Sequence, residues 1–119
     1  MDTTTSSTPT TTCASTSATR ILSRAGHIVG VQAATVQIGA HGVDVSCGSD
    51  ADVEILRSAL ELARALRVHC SSTRVRVEFD RSVIVADIYE NGMVAVMLPI
   101  GGPAMKSLNR SLRRAWKSG

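Results

Sequence analysis

The chain has 119 residues, 44% of them hydrophobic, and a formal net charge of +3. That length supports one domain with a single core, and so small a charge names no polyanion partner by itself. Only 3% of the residues are aromatic, which argues against base-stacking modes of single-stranded nucleic-acid binding.

Residues 1–17 are almost entirely Thr and Ser, broken by Pro9 and Cys13. Such a tract buries too little apolar surface to offset its ordering entropy, so it is expected to be a disordered tail. The folded domain is then expected over 18–119. Ser17 to Ala25 fits a short helix, with Ala18, Ile21 and Leu22 on one side and Gly26 at its end. Ile28 to Ile38 reads as a strand, 39–42 as a Gly-bearing turn, and Val43 to Cys47 as the return strand.

Ser49, with Asp52 three residues on, resembles a capping box that opens a long helix to about Val68. Glu54, Arg57, Glu61 and Arg64 form one polar stripe on it. Val53, Ile55, Leu56, Ala59, Leu60, Leu62, Ala63 and Leu66 fill the rest, an arc wider than one sheet can cover. Burying some seven such side chains would contribute roughly 10 kcal/mol as an upper bound. The excess fits either a second apolar contact, most simply the same helix of another copy, or an ordinary buried face flanked by Ala59 and Ala63.

Thr73 to Phe79 alternates, with Val75, Val77 and Phe79 on one face and Arg74, Arg76 and Glu78 on the other. One wholly polar face marks an edge strand. Ser82 to Tyr89 and Met93 to Leu98 are apolar on both faces, apart from Asp87. Strands of that kind need cover on both sides. Asn91-Gly92 between them has the composition of a type I′ hairpin, which would pair Tyr89 with Val94 and Asp87 with Val96. The turn puts Ile84, Ala86, Ile88, Met93, Ala95 and Met97 on one face. Val83, Val85, Tyr89, Val94, Val96 and Leu98 take the other. Gly101-Gly-Pro103 opens a last helix, with Met105, Leu108, Leu112 and Ala115 or Trp116 inward. Lys106, Arg110, Arg113 and Lys117 lie on its opposite stripe, which reads as a solvated face whose cations suit a helix C-terminus, or as a basic face for an anionic membrane, a nucleic acid or an acidic partner.

Motifs for catalysis are missing. The chain has neither a Gly-rich phosphate loop nor a Gly-x-Ser-x-Gly elbow. His69 and Cys70 are adjacent and cannot chelate as a spaced pair would. Cys47 is expected to be a small buried cysteine, although a neighbouring base would make it a nucleophile. Three cysteines, Cys13, Cys47 and Cys70, stand at wide spacing. They suit reduced thiols and a cytoplasmic location better than a disulfide framework. The N-terminus lacks the basic and apolar regions of a secretory signal. A binding protein without metal or cofactor is therefore expected rather than an enzyme.

The element order is short helix, hairpin, long helix, three-strand meander, helix. It predicts an α/β (α+β) sandwich: a single five-stranded antiparallel sheet with helices on both faces. Ile28-Val-Gly-Val-Gln-Ala-Ala-Thr-Val-Gln, the capped helix from Ser49, Val83-Ile-Val-Ala-Asp-Ile, Asn91-Gly92 and Met93-Val-Ala-Val-Met-Leu carry a resemblance. Together they resemble the Roadblock family of dynein light chains and small-GTPase regulators, with a profilin-like layout. The resemblance implies a homodimer, or a heterodimer with a paralogue, joined by the long helix and the edge strand. It maps the dimer interface onto Val53, Leu56, Ala59, Leu60, Ala63, Arg74, Arg76 and Glu78. It also implies a small Ras-like GTPase as partner, with Glu54, Arg57, Glu61 and Arg64 as contacts, and a regulatory or scaffolding role. The alternative reading is a basic adaptor acting through Lys106, Arg110, Arg113 and Lys117.

Overall fold

The structure is a computed structural model that describes residues 9–39, 42–69, 74–102 and 105–119. The tail's residues 1–8, the tip of the first turn, Cys70, Thr73 and Pro103 lie outside the described residues. The elements are α1 (Pro9–Gly26), β1 (Ala33–Ile38), β2 (Val43–Cys47), α2 (Asp50–His69), β3 (Arg74–Phe79), β4 (Ser82–Tyr89) and β5 (Gly92–Pro99). A 3-10 turn at Met105–Ser107 leads into α3 (Leu108–Lys117). All five strands form one antiparallel sheet in the order β2-β1-β5-β4-β3.

The apolar periodicity of β4 and β5 sorts the core as expected. Val83, Val85, Val94, Val96 and Leu98 face α1 and α3, which contribute Ala18, Ile21, Ala25, Leu108, Leu112 and Ala115. Ile84, Ala86, Ile88, Met93, Ala95 and Met97 face α2, which contributes Leu56, Leu60 and Ala63. The helices therefore cover both faces of the sheet.

The register between β4 and β5 differs from the expected one by two residues. Tyr89 pairs with Gly92 and Asp87 with Val94, so the loop is Glu90-Asn91 rather than Asn91-Gly92. A shift of two conserves the alternation, which is why the faces are unchanged. Positive φ among the described residues occurs at Asp80, Gly30, Gly42, Gly48 and Gly101, so Asn91-Gly92 is not a type I′ turn. Gly92 serves a different purpose. A Cβ there would lie 2.2 Å from the Gln37 carbonyl oxygen and 2.9 Å from the Trp116 ring. The glycine lets β1 and the indole close over the end of β5.

Three further boundaries move. α1 begins at Pro9, inside the segment read as a disordered tail. Proline suits the first helical turn, and Thr and Ser are poor helix formers, so composition concealed this start. β1 begins at Ala33, five residues after Ile28, because Gly30 turns the chain at φ +88°. The last α-helix starts at Leu108 rather than at Pro103. On α2, Ser49 caps as expected, its Oγ accepting from the Asp52 backbone N–H at 3.2 Å.

Asp87 is buried, at 5% exposure, and it is paired. Arg74 lies directly opposite it on β3 and donates from Nε to Oδ1 at 2.5 Å. The Tyr89 hydroxyl donates to Oδ2 at 3.2 Å. The Tyr89 ring stacks on Trp116, with centroids 4.4 Å apart and planes 9° from parallel. Burial, then the Asp87 charge and the hydrogen bond to it, push the Tyr89 hydroxyl up to about 12.

Two outcomes follow. Gly92→Ala should cost on the order of 1–3 kcal/mol in urea unfolding, by forcing apart β1 and Trp116, while Asn91→Ala should stay within about 0.5 kcal/mol. Tyr89 is the sole tyrosine, so ultraviolet titration reads it alone. Its ionisation should be displaced upward from the ordinary 10 toward about 12 in the folded chain. Unfolded chains lose that proton first, so this contribution to stability is complete below pH 10 and declines as pH rises from 10 toward 12.

Candidate functional site

The α2 face of the sheet is unevenly covered. α2 packs on β1, β5 and β4, whereas β3 forms the sheet edge and pairs only with β4. Val75 and Val77 of β3 are half-buried against the core under α2. Ile55 and Leu62 of α2 stand 42% and 49% exposed, on the flank opposite Arg57 and Arg64, which reach toward β2 and β1. Residues 55, 59 and 62 follow the i, i+4, i+7 spacing of one helix face. α2 thus carries an apolar strip on the flank turned away from β2, of which Ile55 and Leu62 are left uncovered.

The sequence-derived interface residues divide. Leu56, Leu60 and Ala63 are fully buried against the chain's own sheet, so they have no surface to offer a second copy. That is a correction, and its cause is angular: these three lie at the centre of the arc, while Ile55 and Leu62 lie on its flank. Val53 and Ala59 are half-buried. Arg74, Arg76 and Glu78 lie on the other face of β3, where Arg76 Nε approaches Glu78 Oε2 at 3.8 Å.

The polar stripe of α2 also divides. Arg57 reaches sideways to β2, 3.6 Å from Asp44 Oδ1 and 3.4 Å from the Ser46 hydroxyl. Arg64 donates to Gln37 Oε1. Gln37 and Thr35 are buried polar residues of β1 on this face, which sequence reading passed over. Gln37 Nε2 donates to Asp44 Oδ2 at 3.1 Å. Thr35 Oγ1 donates to Asp44 Oδ1 at 3.3 Å and to the Val45 carbonyl at 3.1 Å. Asp44 therefore gathers both buried groups and one arginine. Glu54 and Glu61 remain exposed, and with Asp50, Val53, Arg57 and Ser58 they line an open groove on the outer side of α2.

On the opposite face, Lys106, Arg110, Arg113 and Lys117 are all exposed. The first three line a second open groove with Ser107 and Asn109. Cys47 is exposed at the end of β2, not buried as expected; its sulfur would lie 3.3 Å from a Cβ at Gly26. No cluster of three His, Cys, Asp or Glu gathers among the described residues. No helix among them is long and apolar enough to cross a membrane.

No family model matches the chain, and no curated protein matches it in sequence. Solved structures do match. The Roadblock/LC7 domain from Streptomyces avermitilis superposes with a TM-score of 0.59 at 18% identity, covering 82% of this chain and 90% of that one. MglC from Myxococcus xanthus gives a TM-score of 0.56 at 18% identity, over 87% of this chain and 99% of its own. MglB in a tetrameric arrangement gives 0.58 at 13% identity, over 87% and 85%. The chain has the Roadblock/LC7 fold, and the resemblance drawn from its strand and turn patterns holds at the level of structure.

The Asp44 network yields a stability outcome. Asp44→Ala removes the acceptor for Gln37 Nε2 and the counter-ion of Arg57. It should cost about 1–2 kcal/mol in chemical unfolding, whereas Glu54→Ala on the same face should stay within about 0.5 kcal/mol.

Proposed function

We propose that the protein is a non-catalytic, cytoplasmic dimer that regulates or scaffolds a small Ras-like GTPase. The observation that carries this reading is the pair of exposed aliphatic side chains Ile55 and Leu62, on the flank of α2 turned away from its Arg57–Asp44 contact, together with the open edge strand β3. Exposed aliphatic side chains and an unpaired strand edge are liabilities unless a partner covers them. A second copy covers both at once. Pairing β3 with its counterpart extends the sheet across two chains, and the two α2 helices then meet over the junction.

Charge on β3 selects a register for that pairing. With Val77 opposite its own counterpart, Arg76 faces Glu78 and Arg74 faces Asp80 across the dyad. A slip that opposes Arg76 to itself sets like charges face to face. The GTPase then docks on the outer side of the paired α2 helices, where Glu54 and Glu61 are unpaired among the described residues. Arg57 and Arg64 lie at the border of that surface. The support for this partner is the fold and its resemblance to a family of GTPase regulators.

Sedimentation equilibrium tests the dimer: twice 12.5 kDa is expected. Ile55→Asp with Leu62→Asp should give a folded monomer. Arg76→Glu should weaken the dimer by roughly tenfold, and Arg76→Glu with Glu78→Arg should restore it. A wild-type monomer at micromolar concentration refutes the dimer. For the partner, GTPases loaded with either nucleotide are passed over immobilised protein. Retention that is lost in Glu54→Arg/Glu61→Arg supports the reading, and no retention in either nucleotide state contradicts it.

A further inference from the structure

Net charge conceals how charge is distributed across the sheet. α1 carries Arg20 and Arg24 and no carboxylate. The segment from Met105 to Lys117 adds Lys106, Arg110, Arg113, Arg114 and Lys117, again with no carboxylate. All seven are exposed, and none forms an ion pair among the described residues. α2, on the other face, carries Asp50, Asp52, Glu54 and Glu61 against Arg57, Arg64 and Arg67. One side of the sheet is therefore a cationic layer and the other is close to neutral.

The shape of this layer restricts what it fits. α1 and α3 pack on each other, and both contribute to the core on this face of the sheet, giving a broad two-helix surface, not a lone helix free to enter a groove. The apolar side of α3 is occupied, since Leu108, Leu112 and Ala115 are buried. Trp116, the single tryptophan, is stacked on Tyr89, the single tyrosine, so neither of these rings is free to stack on bases.

A second observation lies at the end of this layer. Four large apolar side chains are exposed among the described residues. Two belong to the α2 strip; the other two are Val29, 66% exposed, and Ile100, 45% exposed. Val29 follows α1 and Ile100 leads toward α3. Their segments adjoin, because a Cβ on Gly30 would lie 3.9 Å from Pro99 Cδ. The Ile100 backbone N–H also donates to the Arg81 carbonyl at 3.0 Å. In the chain, Val29 lies five residues after Arg24 and Ile100 six before Lys106; aliphatic side chains between basic segments suit the boundary between lipid headgroups and acyl chains.

We propose that the α1/α3 layer docks on an anionic lipid bilayer, by attraction of its cations to acidic headgroups and shallow insertion of Val29 and Ile100. The interaction is peripheral, and it does not depend on the dimer or on the GTPase. Each Lys or Arg near an anionic surface adds a modest increment, so several are needed.

Co-sedimentation with vesicles tests it. The full chain should partition onto phosphatidylcholine vesicles containing about a third phosphatidylserine, and not onto pure phosphatidylcholine. Binding should fade between about 0.1 M and about 1 M salt, as the screening length falls from ~10 Å to ~3 Å. Arg110→Glu/Arg113→Glu/Lys117→Glu should lower partitioning on the order of 100-fold, and the corresponding Gln variant should lower it less. Val29→Ser/Ile100→Ser should lower it roughly tenfold with little change in salt dependence. Circular dichroism confirms that each variant is folded. Ile55→Asp/Leu62→Asp should still bind vesicles, which separates this result from failure of the dimer. Equal binding to neutral vesicles overturns the proposal. So does retention on duplex DNA without any partitioning onto acidic vesicles, an outcome that assigns the layer to nucleic acid.

Discussion

β4 and β5 have no polar face to give to water. Val83, Val85, Val94 and Val96 point one way and Ile84, Ala86, Met93 and Ala95 the other, and all are buried. A central pair of this kind is stable only as the middle layer of three. The rest of the chain answers that demand. α1 and α3 cover one side, α2 covers the other, and the half-polar strands β2 and β3 are displaced to the edges. The cover is not perfectly matched to the apolar surface, since Ile55 and Leu62 on one flank of α2 are left exposed.

The two outer layers differ in chemistry as well as in number of helices. α2 turns acidic residues and an apolar flank outward, while α1 and α3 turn outward arginine, lysine and hydroxyl side chains. A sheet with unlike faces has a defined orientation. In the proposed dimer, the dyad runs perpendicular to the sheet, so both copies present the same face in the same direction. The partner surface over α2 and the cationic layer are then on opposite sides of one plate, and occupation of one does not block the other.

Periodicity alone was enough to sort the core, because side-chain alternation survives an error of two residues in pairing. The same robustness hid the register. Asn91-Gly92 has a hairpin's composition, but Gly92 is needed for the close approach of Gln37 and Trp116, contacts that no local window contains. Asp87 was unplaceable from its own strand. Its partner, Arg74, becomes visible only when β3 is laid against β4. Thr35 and Gln37 were likewise opaque, since Asp44 satisfies them from the next strand. On α2 the width of the apolar arc was read correctly, and which of its residues remain outside was not. Leu56 and Ile55 are one step apart in sequence and 100° apart on the helix, and only the position of the sheet decides between them.

The stacked pair of Tyr89 and Trp116 has a practical consequence. Its two rings come from β4 and α3, and the indole also lies over Gly92 at the start of β5. The chain therefore contains one indole fluorophore, located where the closing helix meets the sheet. Any event that lifts or slides that helix changes the environment of a single emitter. Detachment of α3 can thus be followed optically in the unlabelled protein, apart from whatever happens around α2.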